Sequence, residues 1–227
     1  MKGMFPNYMN YYNAEEYKIM KYANKLKVFG SGAVNVKPDM AEVIISVITE
    51  DKELETAQKL NAEITEQVIE NIMKQGVSKK DIQTQSYSIN MKYDYIDGKQ
   101  IFRGYIVTNS LKVIIRDINS VGKVIDAAVQ GGANSINNIS FIVSEPSKYY
   151  NLALKLAIKD SQSKAMAIAG KLNVSISEVP IQIVELSSNV VTPLMTAGLK
   201  ASTTATPIEA GENKIIANIE AVFSYYE

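Results

Sequence analysis

The sequence lacks both cysteine and histidine throughout its 227 residues. The absence of cysteine excludes disulfides, thiol nucleophiles and thiolate metal ligands. The absence of histidine removes imidazole as a proton carrier and as a metal ligand, so Ser-His-Asp and Cys-His catalytic arrangements are excluded as well. Any enzyme built on this chain would have to use Asp, Glu, Lys, Tyr, Ser or Thr. We therefore predict that the protein is not an enzyme and that it holds no cofactor and no metal.

The chain also has little arginine and no excess of positive charge. Arg103 and Arg116 are its only arginines, and 24 basic residues balance 24 acidic ones. Nucleic-acid binding depends on clustered lysines and arginines that neutralise phosphates. The composition therefore predicts no nucleic acid partner.

Long hydrophobic runs are missing too. The sequence has no stretch of roughly 18 apolar residues, so we predict no membrane-spanning helix. The N-terminal segment is polar and rich in tyrosine, contains Pro6, Glu15 and Glu16, and has no apolar core of the kind found in signal peptides. These features predict a cytoplasmic protein.

What is present is the balance typical of a chain that buries a core, with 46% hydrophobic and 21% charged residues. The spacing of the apolar residues predicts strands over about 27–37, 40–49, 82–95, 101–115, 136–143, 180–186 and 214–226, and helices over about 51–76, 120–130 and 148–172. The order ββαββαβαββ predicts an α+β fold. In it, three amphipathic helices pack on one mostly antiparallel sheet with long β-hairpins.

Turn and cap residues define several of these ends. Asp51 is a candidate N-cap of the first helix, and Gly76 fits the left-handed position that follows a helix. Asp97-Gly98 predicts a tight hairpin, because these residues tolerate positive φ. Gly131-Gly132 is predicted to end the second helix. The strand over 40–49 is apolar on both faces, which predicts a central strand covered on both sides.

Apolar residues define the predicted inner faces of the first and third helices. In the first helix they are Ala57, Leu60, Ile64, Val68 and Ile72, at spacings of three and four. In the third helix they are Leu152, Leu154, Leu156, Ala157, Ala165, Ile168 and Ala169.

The domain organisation predicted from these patterns is an N-terminal Tyr-rich arm, 1–25, followed by one domain, 26–227. The segment over 188–212 is rich in Thr, Ser, Ala and Gly, and we predict a flexible loop within the domain there. The arm is either a partner-binding segment, since tyrosine is enriched at interfaces, or a disordered tail.

Two motifs resemble catalytic or nucleotide-binding sequences. Gly30-Ser31-Gly32 resembles a phosphate-binding loop, but it lies within a strand pattern and lacks a third glycine, which favours a bulge or close packing. Ser161 and Lys164 have the Ser-x-x-Lys spacing of a lysine-activated nucleophile. No companion motif is present, and the segment is predicted to lie on the exposed side of its helix.

Carboxylates occur in two groups that could attract a hard cation. Glu50, Asp51 and Glu53 form one group, and Asp94 and Asp97 form the other. Acidic residues are also favoured at helix N-termini and in turns. We therefore favour solvated caps and turns over a metal site.

A set of longer segments resembles the SIMPL-domain family, the YggE-like family of oxidative-stress-defence and periplasmic immunogenic proteins. The segments are Val28 to Gly32 with Val34, Val36 and Pro38-Asp39; Asp81 to Thr84; Tyr87 to Ile89 with Tyr93; Gly104 to Leu111; Ile115 to Asp117; Val121 to Ala128; Gly132 to Asn134; Ile139 to Phe141; and Pro207 to Glu212. Together they extend over most of residues 27–226. The resemblance implies an oligomer-forming protein linked to the cell envelope or to stress, with no established catalytic residues.

Two functions remain open at this point, with a third less favoured. The first is a non-enzymatic, self-associating protein, because the hairpin over 82–115 exposes strand edges and aromatic residues that favour a homo-oligomer. The second is a module that binds a small molecule or peptide at a sheet edge or in a groove between helix and sheet. A hydrolase that uses carboxylates or the Ser161–Lys164 pair is the third.

Overall fold

The computed structural model describes residues 24–194 and 206–226 and confirms the α+β fold class. Its strands are β1 (Asn24–Val36), β2 (Met40–Asp51), β3 (Ile82–Ile96), β4 (Lys99–Ile115), β5 (Ser135–Ile142), β6 (Ser175–Ile176), β7 (Gln182–Leu194) and β8 (Glu212–Tyr226). Its helices are α1 (Leu54–Lys74), α2 (Val121–Gln130) and α3 (Pro146–Leu172). This order matches the predicted one except for the short strand β6. Apart from its last two residues, the predicted N-terminal arm lies outside the described residues.

The strands form two sheets, so the expected single β layer is wrong. One sheet has the strand order β3-β4-β2-β5, with antiparallel pairs throughout. In the other sheet, β8 pairs with β1, β6 and β7. Alternating apolar residues identify strands but do not specify which strands pair, and this is why the sequence did not separate the two sheets.

The chain divides into two compact units, each with its own cluster of buried residues. The described parts of unit 1 are residues 24–34, 147–191 and 215–226, and those of unit 2 are 35–146, 192–194 and 206–214. Both units are therefore discontinuous in sequence. The single domain over 26–227 stays a prediction.

In unit 2, α1 and α2 cover one face of the β3-β4-β2-β5 sheet. Val43 and Ile45 of β2 lie opposite Val113 and Leu111 of β4, and all four are buried. β2 is central, as predicted. Its Ile44, on the opposite face, is half-buried.

The inner face of α1 is more polar than predicted. Its buried residues are Ala57, Asn61, Thr65, Val68 and Ile72. Leu60, which we expected inside, is exposed, and Asn61 is buried instead. The Asn61 side-chain amide donates hydrogen bonds of 3.0 and 3.1 Å to the carbonyl oxygens of Val47 and Val107. Because these bonds satisfy the amide donor, it can be buried between α1 and two neighbouring strands.

The ends of α1 agree with the sequence at one terminus and differ at the other. Gly76 follows the helix with φ of +93°, as predicted. Asp51 is not the N-cap, because the helix begins three residues later and Glu53 occupies that position. The Asp51 carboxylate accepts a 2.8 Å hydrogen bond from the Glu53 amide instead, so it stabilises the turn that leads into the helix.

In unit 1, α3 packs on its sheet through very small side chains. The buried residues of α3 recur every four positions and are Ala153, Ala157, Ser161, Ala165 and Ala169. A Cβ atom at Gly30 of β1 would overlap the carbonyl oxygen of Ala157, and one at Gly32 would overlap that of Ala153. Glycine in β1 therefore allows the backbones of strand and helix to touch.

This close approach corrects the predicted inner face of α3. Ala157, Ala165 and Ala169 are buried as expected, but the larger Leu152, Leu156 and Ile168 are exposed. Their side chains are too large for a face that contacts β1 backbone to backbone. Hydrophobicity alone favoured the leucines, since alanine contributes little to an apolar pattern.

Part of the predicted flexible loop over 188–212 is strand. β7 continues to Leu194, seven residues into that segment, and 206–211 has no regular structure. Val190, Val191 and Thr192 are β-branched residues that favour extended backbone, a signal that the Ser- and Thr-rich composition obscured.

The stability of unit 2 is expected to decrease in acid because two aspartates are ionised more readily than usual. A hydrogen bond from the Ser144 hydroxyl lowers the pKa of Asp39, and hydrogen bonds from Arg116 lower the pKa of Asp81, each from an ordinary value of 3.8. Below about pH 4 the unfolded chain therefore binds more protons than the folded one. The stabilisation is complete above that pH and is lost as pH falls through the folded pKa values.

We expect the melting temperature to fall below pH 4, and to fall less steeply for Asp81→Asn, which has no carboxylate to protonate there. Circular dichroism melts between pH 2 and 7 measure both curves. Parallel curves for the two proteins would show that Asp81 does not contribute to the acid sensitivity.

Candidate self-association surface

The hairpin of β3 and β4 is the candidate site, because it places an unpaired strand at the edge of its sheet. β3 pairs with β4 along its length and has no second strand partner within the described residues. β2 pairs with β4 from Ile115 only as far as Tyr105. From Lys92 to Gly104 the hairpin therefore has no third strand beside it among residues 24–194 and 206–226.

The turn of this hairpin forms as predicted. Asp97 and Gly98 connect the strands, with φ of 51° and 75°. Positive φ at both central residues is the geometry that matches the twist of a two-residue hairpin. The register beyond the turn begins with Ile96 opposite Lys99.

A β-bulge then brings aromatic residues from both strands onto one face. Lys92 lies opposite Gly104, but Tyr93 lies opposite Phe102, so Arg103 is the extra residue. Gly104 has φ of +140°, and a Cβ atom there would overlap the carbonyl oxygen of Asp51. Only glycine fits this backbone.

The aromatic cluster that results was missed in the sequence. Phe102 makes edge-to-face contacts with Tyr93 and Tyr105, at centroid distances of 5.7 and 5.3 Å. Strict alternation places Phe102 and Tyr105 on opposite faces of β4, and the bulge reverses this. Gly104 inside a strand was the available signal, since a lone strand glycine often marks a bulge.

The apolar face of β3 predicted from the sequence is largely exposed. Met91 and Tyr95 have 61% and 76% of their surface exposed, and Tyr87, Ile89 and Tyr93 are exposed as well. Neighbouring apolar residues of β4 on this face, such as Val107, are buried beneath α1. The exposed apolar residues of β3 therefore lie on the same face of the sheet as the buried residues beneath α1.

The outer edge of β3 also lacks the usual protection against strand pairing. From Ile82 to Met91 the strand contains no charged residue and no proline. Lys92 forms a 2.5 Å ion pair with Glu50, and Asp94 forms one of 2.5 Å with Arg103. Edge strands that do not pair with another chain commonly contain charged residues or prolines, or are covered by another segment. Most of β3 has none of these features.

The structure places the other candidate residues in structural positions. Gly30 and Gly32 pack against α3, which agrees with close packing and not with a phosphate loop.

Ser161 is fully buried, so the prediction that it lies on an exposed helix side is wrong. Its hydroxyl donates to the Ile158 carbonyl at 2.7 Å, and the Lys164 ammonium contacts Asp160 and the Phe29 carbonyl oxygen. Neither group is directed at the other as a nucleophile and base would be.

Members of both clusters of acidic residues bind other groups of the protein. Glu50 and Asp94 form the ion pairs described above, and Asp51 accepts from a backbone amide. Across residues 24–194 and 206–226 no three acidic side chains come close enough to form a metal site. The predicted absence of a metal stays a prediction.

The helices described here are not membrane spans: none combines the length and hydropathy required to cross a bilayer.

The fold and the hairpin together define the class of protein. It is an α+β protein with two antiparallel sheets and an exposed aromatic β-hairpin. Residues 26–223 match the SIMPL family, described as "Protein of unknown function (DUF541)". The chain belongs to this family, which confirms the resemblance seen in its sequence.

Similar proteins are known from several bacteria. The chain is 29% identical to the 26 kDa periplasmic immunogenic protein of Brucella melitensis over 221 residues, which cover 92% of this chain and 88% of that protein. It is 31% identical to the uncharacterized protein YggE of Escherichia coli K12 over 140 residues, 62% of this chain and 57% of that protein. The Brucella name places that relative in the periplasm. None of these names supports the cytoplasmic location expected from the sequence.

Proposed function

We propose that the chain is a non-enzymatic, self-associating SIMPL-domain protein that assembles by pairing β3 with β3 of a second copy. The observation that carries the proposal is the unpaired outer edge of β3, uncharged from Ile82 to Met91, beside an exposed apolar face. Unpaired backbone groups on such an edge form hydrogen bonds with another strand, and the apolar face is removed from water at the same time.

The sequence of β3 favours one antiparallel register. β3 has an irregularity between Thr84 and Ser86, so its regular part is Ser86–Ile96. Pairing this whole segment with its copy places Met91 at the twofold axis. Ile89 then lies opposite the copy's Tyr93, and Tyr87 opposite its Tyr95.

No like charges meet in this register. Lys92 lies opposite the copy's Asn90, and Asp94 lies opposite its Ser88. The apolar cross-strand pairs lie on one face, where such pairs each contribute about 0.2–1 kcal/mol. An isologous interface of this kind closes as a dimer.

We place the role of the assembly at the cell envelope, by analogy with the Brucella relative, whose printed name locates it in the periplasm. A link to stress defence is implied by the family resemblance alone. Fractionation of the native host, with the protein detected by antibody, distinguishes the envelope from the cytoplasm.

We expect multi-angle light scattering to give at least a dimer at high micromolar concentration, for the full chain and for a chain without residues 1–25. Because the protein has no cysteine, Met91→Cys introduces a single thiol. Directly opposed strand residues lie within disulfide reach, so this variant should form a covalent dimer under mild oxidation.

Met166→Cys is the matched control, since Met166 is also an exposed methionine but lies on α3. It should cross-link far more slowly. A monomer by light scattering, or equal cross-linking of the two variants, contradicts pairing through β3.

A further inference from the structure

We propose that a cavity of unit 2, beside the C-terminal end of α1, binds a small organic anion with one carboxylate or phosphate group. The cavity has a volume of about 460 Å³, which is within the range of small-molecule sites. Val77 and Ile115 provide an apolar floor, and Ser78, Lys80 and Arg116 contribute polar groups. The site thus combines an apolar wall with hydrogen-bond donors.

Arg116 is held in place for this role by a buried carboxylate. Its Nε and Nη2 donate to the two carboxylate oxygens of Asp81, at 2.9 and 2.7 Å. The Asp81 side chain is only 7% exposed, whereas that of Arg116 is 59% exposed. One edge of the guanidinium is therefore fixed, and the group cannot rotate freely.

The second edge of the guanidinium remains available. Among the described residues, the one hydrogen-bond partner of Nη1 is the Met40 sulfur, at 3.9 Å. Arginine carries five N–H donors in a planar fork, and the edge formed by Nη1 and Nη2 matches the geometry of a carboxylate or phosphate. A ligand that binds here loses little entropy in ordering the side chain, because Asp81 has already ordered it.

Lys80 adds a second cation at the same cavity. It is exposed, and within the described part of the chain its ammonium acts on Asp81 by charge alone, without a hydrogen bond or a close ion pair. The cavity also contains Asp81 and Asp117. Both Asp81 oxygens accept from Arg116, and Asp117 Oδ1 accepts from the backbone and side-chain amides of Asn119. The charged donors that remain for a ligand are the Lys80 ammonium and the Nη1–Nη2 edge of Arg116, and their positive charge favours an anion.

The neighbouring lysine provides a matched control for the test. Lys79 and Lys80 belong to the same helical turn, but Lys79 does not line the cavity. Lys80→Gln and Lys79→Gln therefore change the charge of the protein equally, but only Lys80→Gln changes the proposed site. Both side chains are exposed, so neither variant is expected to unfold the protein.

The probes are benzoate and phenyl phosphate, with benzyl alcohol and benzylamine as neutral and cationic analogues, followed by nuclear magnetic resonance of labelled protein. We expect both anions to shift the Arg116 side-chain signal and both analogues to leave it unchanged. Lys80→Gln should weaken anion binding about tenfold, the loss of one hydrogen bond to a charged group, and Lys79→Gln should not. The tighter of the two anions identifies the ligand class.

The proposal is overturned if benzyl alcohol binds as well as the anions, or if the two lysine variants have equal effects. It is also overturned if neither anion shifts the Arg116 signal at about 50 mM, a concentration far above the dissociation constant of a typical site. The inference is independent of β3 pairing. Met91→Lys, which lies outside the cavity, should bind benzoate as the native chain does even where it no longer self-associates.

Discussion

Replacing Gly32 by alanine is expected to lower the free energy of unfolding of unit 1 by about 3 kcal/mol or more, because the added methyl group has no space. Its Cβ would overlap the Ala153 carbonyl oxygen and lie 2.5 Å from the backbone nitrogen of Ala157. Both atoms belong to the backbone of α3, so no rotamer change relieves the contact. The helix itself has to move away from β1, which also separates the buried alanines from the sheet.

This change should appear as a fall in melting temperature of about 10 °C, measured by circular dichroism or calorimetry. Gly170→Ala is the control on the same helix, because nothing lies within 4 Å of its added Cβ. Alanine is the better helix former, so this variant should gain about 0.5–1 kcal/mol.

A second-site test separates the backbone contact from ordinary side-chain crowding. The side-chain atom nearest to the added methyl group is the Cβ of Leu156, at 2.7 Å. If this side-chain contact causes the loss of stability, Leu156→Gly should restore part of it. If the methyl group collides with the Ala153 carbonyl, as the structure indicates, the double variant should be no more stable than Gly32→Ala. A native melting temperature for Gly32→Ala would contradict the close approach of β1 and α3.

The same contact shows where sequence patterns succeed and where they fail. The end of α1 and the turn of the β3–β4 hairpin were predictable because residues with positive φ, such as Gly76 and Gly98, have strong local preferences. The small inner face of α3 was not predictable, because it depends on Gly30 and Gly32, which are far from α3 in the sequence. The hydrogen bond from the Ser31 amide to Asp160, for example, joins residues 129 positions apart. A local sequence pattern does not identify a contact with residues so far away in the chain.

The candidate surface was predictable in part for a similar reason. The apolar alternation of β3 was visible, since it is a property of one strand. The contribution of Phe102 and Tyr105 was not, because the bulge at Gly104 changes which side of β4 each side chain occupies. That β3 lies at an edge also follows only from the full strand order.

Met91→Lys is expected to weaken self-association about 100-fold or more while leaving the folded chain intact. In the proposed register, residue 91 lies opposite its own copy, so the variant places two ammonium groups directly opposite each other. Like charges in that position cost several kcal/mol at an interface. Met91 is 61% exposed in the single chain, so the same lysine is solvated there and costs little.

Sedimentation velocity at several concentrations measures the change, with Met166→Lys as a control that adds the same charge on α3. Met91→Glu should dissociate the assembly in the same way, and an equimolar mixture of the Lys and Glu variants should associate again, because opposite charges then meet at the twofold axis. Pairing in another register would place residue 91 opposite a different residue, and mixing would then restore nothing. An assembly that survives both charged variants cannot be held together by β3 at this position.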